Sequence, residues 1–533
     1  MALPCHQARY AGLAMIRSIL TVSSGTLASR LLGFGRDALT AALLGAGPVA
    51  DAFLMAFQFI NVIRRMLGEG ALNVALVPAW MRLREVSGLA AASAFAGDVL
   101  ATVSATLIAL AAVAGVAMPL LVGMLAPGFV GRESLQLAVT DARLMLPYLA
   151  FAGPAAVIMS LLNARHRFAI AAFSPLLFNV ALILAAALLL WLQPDSQFAA
   201  LVMAATVGIA GLLQLAVLAL LTRRDDLASP LRISFGPGMR DFARKAVPGM
   251  IANSGPQLLI VAGAVVASMS PSGVSWLYFA NRLIELPLGM VGVAIGTVLV
   301  PEMSRALSKD DRTAAVHAES RGIELAAALA LPATLGLIVL SEPIVRVLFE
   351  HGAFTTADTR ATALALGCLA LGLPAHILIK ALSPAFFARG DTMMPLIATL
   401  KGIAVAIVSA VALGWMVGVC GVALAMALGA WSSAASLARS MAAGFGFSID
   451  TEARRRLPRI TLAALVMGGV LWLALRLLAP ISGAHGLLQA ATLIILIAAG
   501  VAVYGLLLLT FRVIDRNDIQ TALARSHSGD LRA

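Results

Sequence analysis

Cysteine is nearly missing: the 533 residues hold three, Cys5, Cys368 and Cys420. None has a partner at metal or redox spacing, so neither a disulfide framework nor a zinc site organises the chain. The seven histidines are scattered. His166 lies in a basic loop, His351 beside a turn glycine and His376 in an apolar run, and no pair has the spacing of a metalloprotease helix. There is no phosphate-binding loop. GFG at Gly33–Gly35 and GEG at Gly68–Gly70 are too short for one and lie in apolar runs, so ATP hydrolysis is not expected. The net charge is +12, yet no basic stripe with interleaved aromatics exists, which excludes nucleic acid as a partner. Glu342, Glu350 and His351 form the only cluster with acid–base character, too thin for a transferase. No enzyme, no metal and no cofactor is expected.

Charge itself is scarce. Asp, Glu, Lys and Arg make up 12% of the chain, against about one quarter in soluble domains. What is present instead is apolar: 61% hydrophobic residues and a mean hydropathy of +0.95. Such a surface needs lipid to cover it, so the chain reads as an all-α polytopic membrane protein. Runs long enough to span, about 20 residues at 1.5 Å each, recur about fourteen times. They fall near 16–44, 49–78, 97–125, 141–163, 170–192, 198–221, 243–268, 273–300, 321–341, 361–387, 394–416, 420–441, 459–479 and 485–511.

An even number of spans puts both termini on one side. With the termini inside, the inner loops hold most of the 38 Lys and Arg residues. Among them are Arg82, Arg84, Arg165, Arg167, Arg223, Arg224, Arg454, Arg455 and Arg456. The outer side keeps only Arg132, Arg143, Arg346, Arg360 and Arg476. The positive-inside rule then places both termini in the cytoplasm. The chain also repeats itself. AFQFINVIRRMLGEGALNVALVP, ending at Pro78, resembles ANRLIELPLGMVGVAIGTVLVP, ending at Pro301. Leu146–Pro147 aligns with Leu373–Pro374, at a near-constant offset of roughly 225 residues. Six spans per repeat is a parallel arrangement, in which a substrate site forms between halves. The expected organisation is a 1–14 extension, an N-lobe over 15–222, a cytoplasmic linker over 223–242, a C-lobe over 243–441, two further spans over 442–512 and a cytoplasmic tail over 513–533.

The informative residues are the charges inside spans. A charge at mid-bilayer costs about 2.5–3.5 kcal/mol even on the lenient insertion scale. The first span nevertheless carries Arg30, Arg36 and Asp37. Six residues turn an ideal helix through about 600°, so the two arginines do not share a face. Gly33 and Gly35 permit a bend or an unwound turn between them. In the second span Gln58, Asn61 and Arg65 form one helical stripe, with Arg64 adjacent and Asp51 and Glu69 bracketing it. In the eighth, Arg282 and Glu285 are three apart, with Asn281 beside them. Together these cations exceed what Asp37, Asp51 and Glu285 can neutralise, which implies water and an incoming anion. Arginine suits phosphate because its planar fork bonds two oxygens at once. Lys380 and Lys401 lie nearer span ends and are expected to snorkel.

SRLLGFGRD at Ser29–Asp37, GAGPVADAF at Gly45–Phe53, NVIRRMLGEGALNVALVP at Asn61–Pro78 and VSWLYFANRLIELPLGMVGVAIGTVLVP at Val274–Pro301 resemble the MurJ/MviN lipid II flippases. So do APGF at Ala126–Phe129, the NARHRF loop and the HGAFT turn at His351–Thr355. These flippases belong to the multidrug/oligosaccharidyl-lipid/polysaccharide exporter superfamily. The resemblance implies fourteen transmembrane helices: two pseudo-symmetric six-helix lobes plus two C-terminal helices. It implies movement of lipid II, an undecaprenyl-diphosphate carrying a disaccharide-pentapeptide, from the inner to the outer leaflet of the bacterial inner membrane. The family's cavity arginines map onto Arg30, Arg36, Arg64 and Arg282. Its acidic positions map onto Asp37 and Asp51, with Asn61, Arg65, Glu69 and Glu285 as supporting or ion-coupling residues. Family members often carry Asp before the eighth-span arginine. Here it is Asn281, and Glu285 is the candidate replacement. Membrane potential or an ion gradient is the expected driver. The expected partners are lipid II, the phospholipid bilayer and other cell-wall synthesis proteins. The rival readings are an O-antigen or polysaccharide lipid flippase and a cation-coupled multidrug antiporter, and the antiporter would call for an acidic cavity. Residues 1–14 precede the family's usual start, so Met15 is the expected initiator.

Overall fold

The computed structural model describes residues 5–513 apart from 69–70, 224–227, 254, 309–311, 388, 390, 392, 446–449 and 479–485. The helices run α1 (Cys5–Leu44), α2 (Pro48–Gly68), α3 (Ala71–Leu125), α4 (Glu133–Met145), α5 (Pro147–Ala164), α6 (Phe168–Leu192), α7 (Ser196–Thr222), α8 (Pro237–Asn253) and α9 (Gly255–Ala267). They continue as α10 (Gly273–Ser308), α11 (Arg312–Val339), α12 (Ser341–Phe349), α13 (Thr356–Ala370), α14 (Leu373–Phe387), α15 (Met393–Val417), α16 (Val419–Phe445), α17 (Thr451–Leu477) and α18 (Leu487–Thr510). Every regular element among the described residues is helical, as lipid demands of a backbone that must satisfy its own hydrogen bonds. Ten segments among them are long and apolar enough to cross a membrane. The other four expected spans fall on α1, α2, α8 with α9, and α10. The first two are interrupted by charge, and α9 is short. The chain is a multi-pass membrane protein.

Several boundaries differ from those expected. α2 ends at Gly68 and α3 begins at Ala71, inside the run expected as one span over 49–78. α3 is itself broken at Gly88, whose φ of 84° and ψ of 175° leave the helical region, a conformation open to glycine at no steric cost. The expected span 141–163 is two helices meeting at Leu146–Pro147, with proline at the first helical position where its missing N–H costs nothing. The equivalent Leu373–Pro374 opens α14 in the same way.

The chain divides into two compact units. One comprises Met1–Ser275 with His351–Thr355, the other Trp276–Glu350 with Thr356–Ala533. In the first, α1 packs on α6, α3 on α5, α2 on α4, and α7 on α4, α5 and α6. Its centre is filled by Phe53, Phe57, Tyr148, Leu149, Leu161 and Phe178, all buried. The segment expected as a linker, 223–242, is in its described part laid along α3. The Ser229 N–H donates to the Ser93 carbonyl at 3.2 Å, and the Ser234 N–H donates to Thr102 Oγ1 at 3.0 Å. Phe242 meets Phe95 edge-on.

In the second unit α15 and α16 form the closest pair, α11 packs on α14 and α17, and α17 on α18. Leu340, Met467, Leu471, Leu493 and Leu496 make one core joining α17 and α18 to the α11–α12 turn. Tyr504 on α18 donates to the Ala328 carbonyl at 2.8 Å. Trp191, Trp415 and Trp472 are exposed near the C-terminal ends of α6, α15 and α17, where an amphipathic ring suits a membrane–water interface.

α17 starts at a capped N-terminus. Asp450 accepts from the Ala453 N–H at 2.7 Å, its own N–H donates to Ser320 Oγ, and His317 Nδ1 lies 3.1 Å from its other oxygen. The Ala453 N–H, helped by His317, holds its carboxyl below the usual carboxylate range. A carboxyl depressed in the folded state stabilises it above its unfolded pKa and loses that contribution as pH falls through the folded value. Asp450→Ala should therefore lower stability by about 1 kcal/mol at neutral pH. The gap between variant and parent in thermal unfolding in detergent should close as the pH drops below about 4.

Candidate functional site

Arg36, Asp37 and Arg64 lie where side chains of α1, α2 and α6 meet. α1 is helical without interruption from Cys5 to Leu44, so the unwound turn that Gly33 and Gly35 permit is not there. Glycine permits an unwound turn but does not compel one, and α1 packs along α6. The angular reading stands. Arg30 is exposed while Arg36, six residues on, is 5% exposed.

Arg36 is engaged through all three of its nitrogens. Its Nε and Nη2 donate to Asp37 Oδ1 at 2.9 and 2.6 Å. Its Nη1 donates to Asn179 Oδ1 at 3.0 Å, and its guanidinium carbon lies 4.8 Å from the Phe57 ring centroid. Asn179 is oriented in turn, because its Nδ2 donates to the Ser29 carbonyl at 3.1 Å. One helical turn away, Thr40 Oγ1 donates to the Arg36 carbonyl. Taking a guanidinium out of water is costly without such partners.

Arg64 sits on the other side of an aromatic pair. Its Nε and Nη2 donate to Asn61 Oδ1 at 2.9 and 2.7 Å, and its guanidinium lies 5.3 Å from the Phe178 centroid. Phe178 stacks on Phe57 at 6.4 Å and meets Tyr148 at 5.2 Å. The order is thus Arg36, Phe57, Phe178, Arg64: two cations spaced by two rings whose faces carry negative potential. Gln58 is buried on the same helix as half-buried Asn61 and Arg65. Glu69 lies outside the described residues.

Asp51 does not balance an arginine. Its Oδ1 accepts from the N–H and Oγ of Ser275, at 2.8 and 2.5 Å, in the first turn of α10. A carboxylate there satisfies orphan N–H groups and meets the positive end of the helix dipole. In the second unit Arg282 Nη1 pairs with Glu285 at 2.8 Å, side chains 17% and 20% exposed. Glu285 thus supplies the counter-charge that Asn281 does not. Lys380 reaches back to the Leu288 carbonyl at 3.3 Å, and Lys401 is exposed. Asn179, Phe57 and Phe178 were not among the expected site residues. Asn179 is a lone amide in the apolar run 170–192, and that polarity was its one signal.

Residues 40–490 match the family model described as lipid II flippase MurJ. A probable lipid II flippase MurJ from Rhizobium tropici is 35% identical over 518 residues, 96% of this chain and 97% of the relative. Among solved structures, a lipid II flippase MurJ in an inward closed conformation matches with a TM-score of 0.76 at 24% identity, covering 92% of this chain and 98% of that one. An inward-facing multidrug resistance MATE family transporter of the MOP superfamily matches with a TM-score of 0.63 at 16% identity, over 81% and 95%. The chain belongs to the MurJ family of lipid II flippases, a family of transporters and not of enzymes.

Proposed function

We propose that this protein moves lipid II from the inner to the outer leaflet of the bacterial inner membrane by alternating access. The observation that carries the reading is the set of guanidinium groups inside apolar helices: Arg36 and Arg64 on α1 and α2, with Arg30 nearby on α1, and Arg282 on α10. A diphosphate is the ligand such groups fit. It brings charge of the right sign and oxygens in pairs for planar forks. The polyprenyl tail stays in lipid while the headgroup is bound, so only the polar part needs a path. In the bound state phosphate oxygens compete with Asp37 for Arg36 and with Glu285 for Arg282. These carboxylates hold the cations while the site is empty and are displaced when it fills. Both termini face the cytoplasm, which follows from the excess of Lys and Arg in alternate loops. Membrane potential drives the cycle, at about 2.3 kcal/mol per charge per 100 mV.

The test is headgroup translocation in vesicles reconstituted with the full chain, with lipid II, an O-antigen-type lipid diphosphate and a cationic drug as separate cargoes. Arg64→Ala and Arg282→Ala should each cut lipid II transfer at least about tenfold, the loss of one charge-assisted hydrogen bond at roughly 1.4 kcal/mol. Drug export by the parent, or undiminished lipid II transfer by both variants, would overturn the reading. Preference for the O-antigen-type lipid would move it to a sister flippase.

A further inference from the structure

Spacing along the chain offers no reason to link the cysteines, but the fold brings two of them together. Cys368 lies on α13 and Cys420 on α16, and both are half-buried. Their thiols are hydrogen-bonded to each other, which puts the two sulfurs in contact.

The contact is one rung of a longer seam. A Cβ on Gly372, just beyond α13, would stand 2.9 Å from the Ala427 Cα, so the two backbones nearly touch there. Trp431 Nε1 on α16 donates to the Leu371 carbonyl at 2.9 Å. Ala375, at the start of α14, is buried with Ala430 and Ala434. The pairs advance together, Cys368 with Cys420, Gly372 with Ala427, Ala375 with Ala430 and Ala434. α13 and α14 therefore run parallel to α16 along a seam of small residues, as close-packed helices in lipid do. A seam of this kind holds the two cysteines in register from several residues on either element.

The position of the rung decides its chemistry. Cys420 is the second residue of α16, straight after the turn at Gly418, whose φ is 65°. Trp415, beside the same turn, is 93% exposed. The first turn of α13 carries Asp358, with Arg360 following. With both termini in the cytoplasm, the α15–α16 turn and the start of α13 lie on the outer side. The bacterial periplasm is an oxidising compartment, in which disulfides form and persist.

We propose that Cys368 and Cys420 form a disulfide at the outer face, tying α13 to α16 within the second compact unit. The proposal rests on the function proposed above only through its topology. One thiolate attacks the disulfide of an exported dithiol–disulfide oxidant and forms a mixed disulfide with it. The other thiolate then attacks this chain's sulfur in the mixed disulfide. The oxidant leaves as its dithiol, carrying away the two electrons and two protons that the cysteines lose.

The full-length Cys5→Ser protein, in the inner membrane of growing cells, tests this. Acid quenching fixes the thiol state, and a polyethylene-glycol maleimide added in denaturant then counts free thiols by gel shift. The chain should run as a monomer with no shift, and with two shifts when it is reduced before alkylation. Adding Cys368→Ser or Cys420→Ser should each produce one shift without reductant. Two shifts in the unreduced chain, or a disulfide-linked dimer, overturn the proposal. The topology is read separately, from Val417→Cys in a chain whose native cysteines are all replaced by serine. Val417 is 56% exposed at the turn, and a membrane-impermeant maleimide on intact spheroplasts should label the variant. That labelling together with two shifts in the unreduced chain sinks the disulfide and leaves the topology standing. An unshifted chain with Val417→Cys labelled only after lysis keeps the Cys368–Cys420 bond and overturns the topology.

Discussion

Asp37→Ala should destabilise the protein by about 3–5 kcal/mol, the largest single effect expected among the intramembrane charges. The reason is what it leaves behind. Arg36 is 5% exposed and sends two of its donors to Asp37 Oδ1, at 2.9 and 2.6 Å. Removing that oxygen keeps a full positive charge in a low-dielectric interior with only Asn179 and the face of Phe57 for company. Asp37→Asn, which retains an accepting oxygen, should lose less. The paired variant Arg36→Met/Asp37→Ala should recover most of the loss, because a buried ion pair replaced by apolar groups of similar volume is close to neutral. Thermal unfolding of the parent, Arg36→Met, Asp37→Ala and the paired variant in detergent closes this cycle. A double variant no more stable than Asp37→Ala alone would show that the pair is not the origin of the effect. The same double variant then speaks to mechanism. If it is stable but silent in translocation, the Arg36–Asp37 pair serves transport and is not only a strut between α1 and α6.

The bland spans were legible because nothing in them competes with hydropathy. The runs 170–192, 198–221 and 394–416 lie within a few residues of α6, α7 and α15. The breaks inside spans were not legible. Across Leu146–Pro147 and Leu373–Pro374 the composition stays apolar, so a hydropathy window sees one run where the backbone forms two helices. The Leu-Pro pairs marked the internal repeat, and the same prolines mark the breaks. The glycines of α1 show the limit of local signals, since the helix continues where tertiary packing holds it. At the site, Arg36, Asp37, Arg64 and Arg282 stood out as charges where charge is costly. Asn61 and Glu285 stood out as well, but Asn179 and the rings of Phe57 and Phe178 did not. Asn179 comes from a helix far along the chain, and sequence gives no address for a single amide. Asp51 stood out as a charge in an apolar run, and its contact with Ser275 at the start of α10 had no signal in the sequence.

Gly352→Ala should be the most damaging change outside the charged set. Gly352 has a φ of 60°, where a side chain costs about 1–2 kcal/mol. A Cβ there would also stand 2.3 Å from the Ala42 carbonyl oxygen at the end of α1. Backbone is the obstacle, so nothing flexible can give way, and overpacking adds a further ~1–3 kcal/mol. The contact is bonded as well as close, because the Ala353 N–H donates to the Ala42 carbonyl at 2.8 Å. The turn His351–Thr355 belongs to the first compact unit, and this hydrogen bond ties it to the end of α1. The repeat supplies a second instance. Gly128, in the Ala126–Phe129 turn, would bring a Cβ within 2.2 Å of the Ser268 carbonyl oxygen just beyond α9. Its N–H donates to Ser268 Oγ at 3.2 Å. Phe129 and Phe354 follow the two glycines and are both buried. Each repeat thus seats a Gly-Phe or Gly-Ala-Phe turn on the C-terminal end of a helix, α9 or α1, and the seat leaves no room for a methyl group. Gly128→Ala has no positive φ to strain and should cost only the overpacking part, about 1–3 kcal/mol. Gly131→Ala is the complementary control. Its φ is 78° but nothing lies within 4 Å of the added Cβ, so it should cost only the backbone part, about 1–2 kcal/mol. Unfolding midpoints in the order Gly352→Ala lowest, with Gly128→Ala and Gly131→Ala above it and below the parent, confirm that both turns are seated. A Gly352→Ala midpoint equal to that of Gly131→Ala would mean that the Ala42 carbonyl moves aside and that the turn is only loosely held.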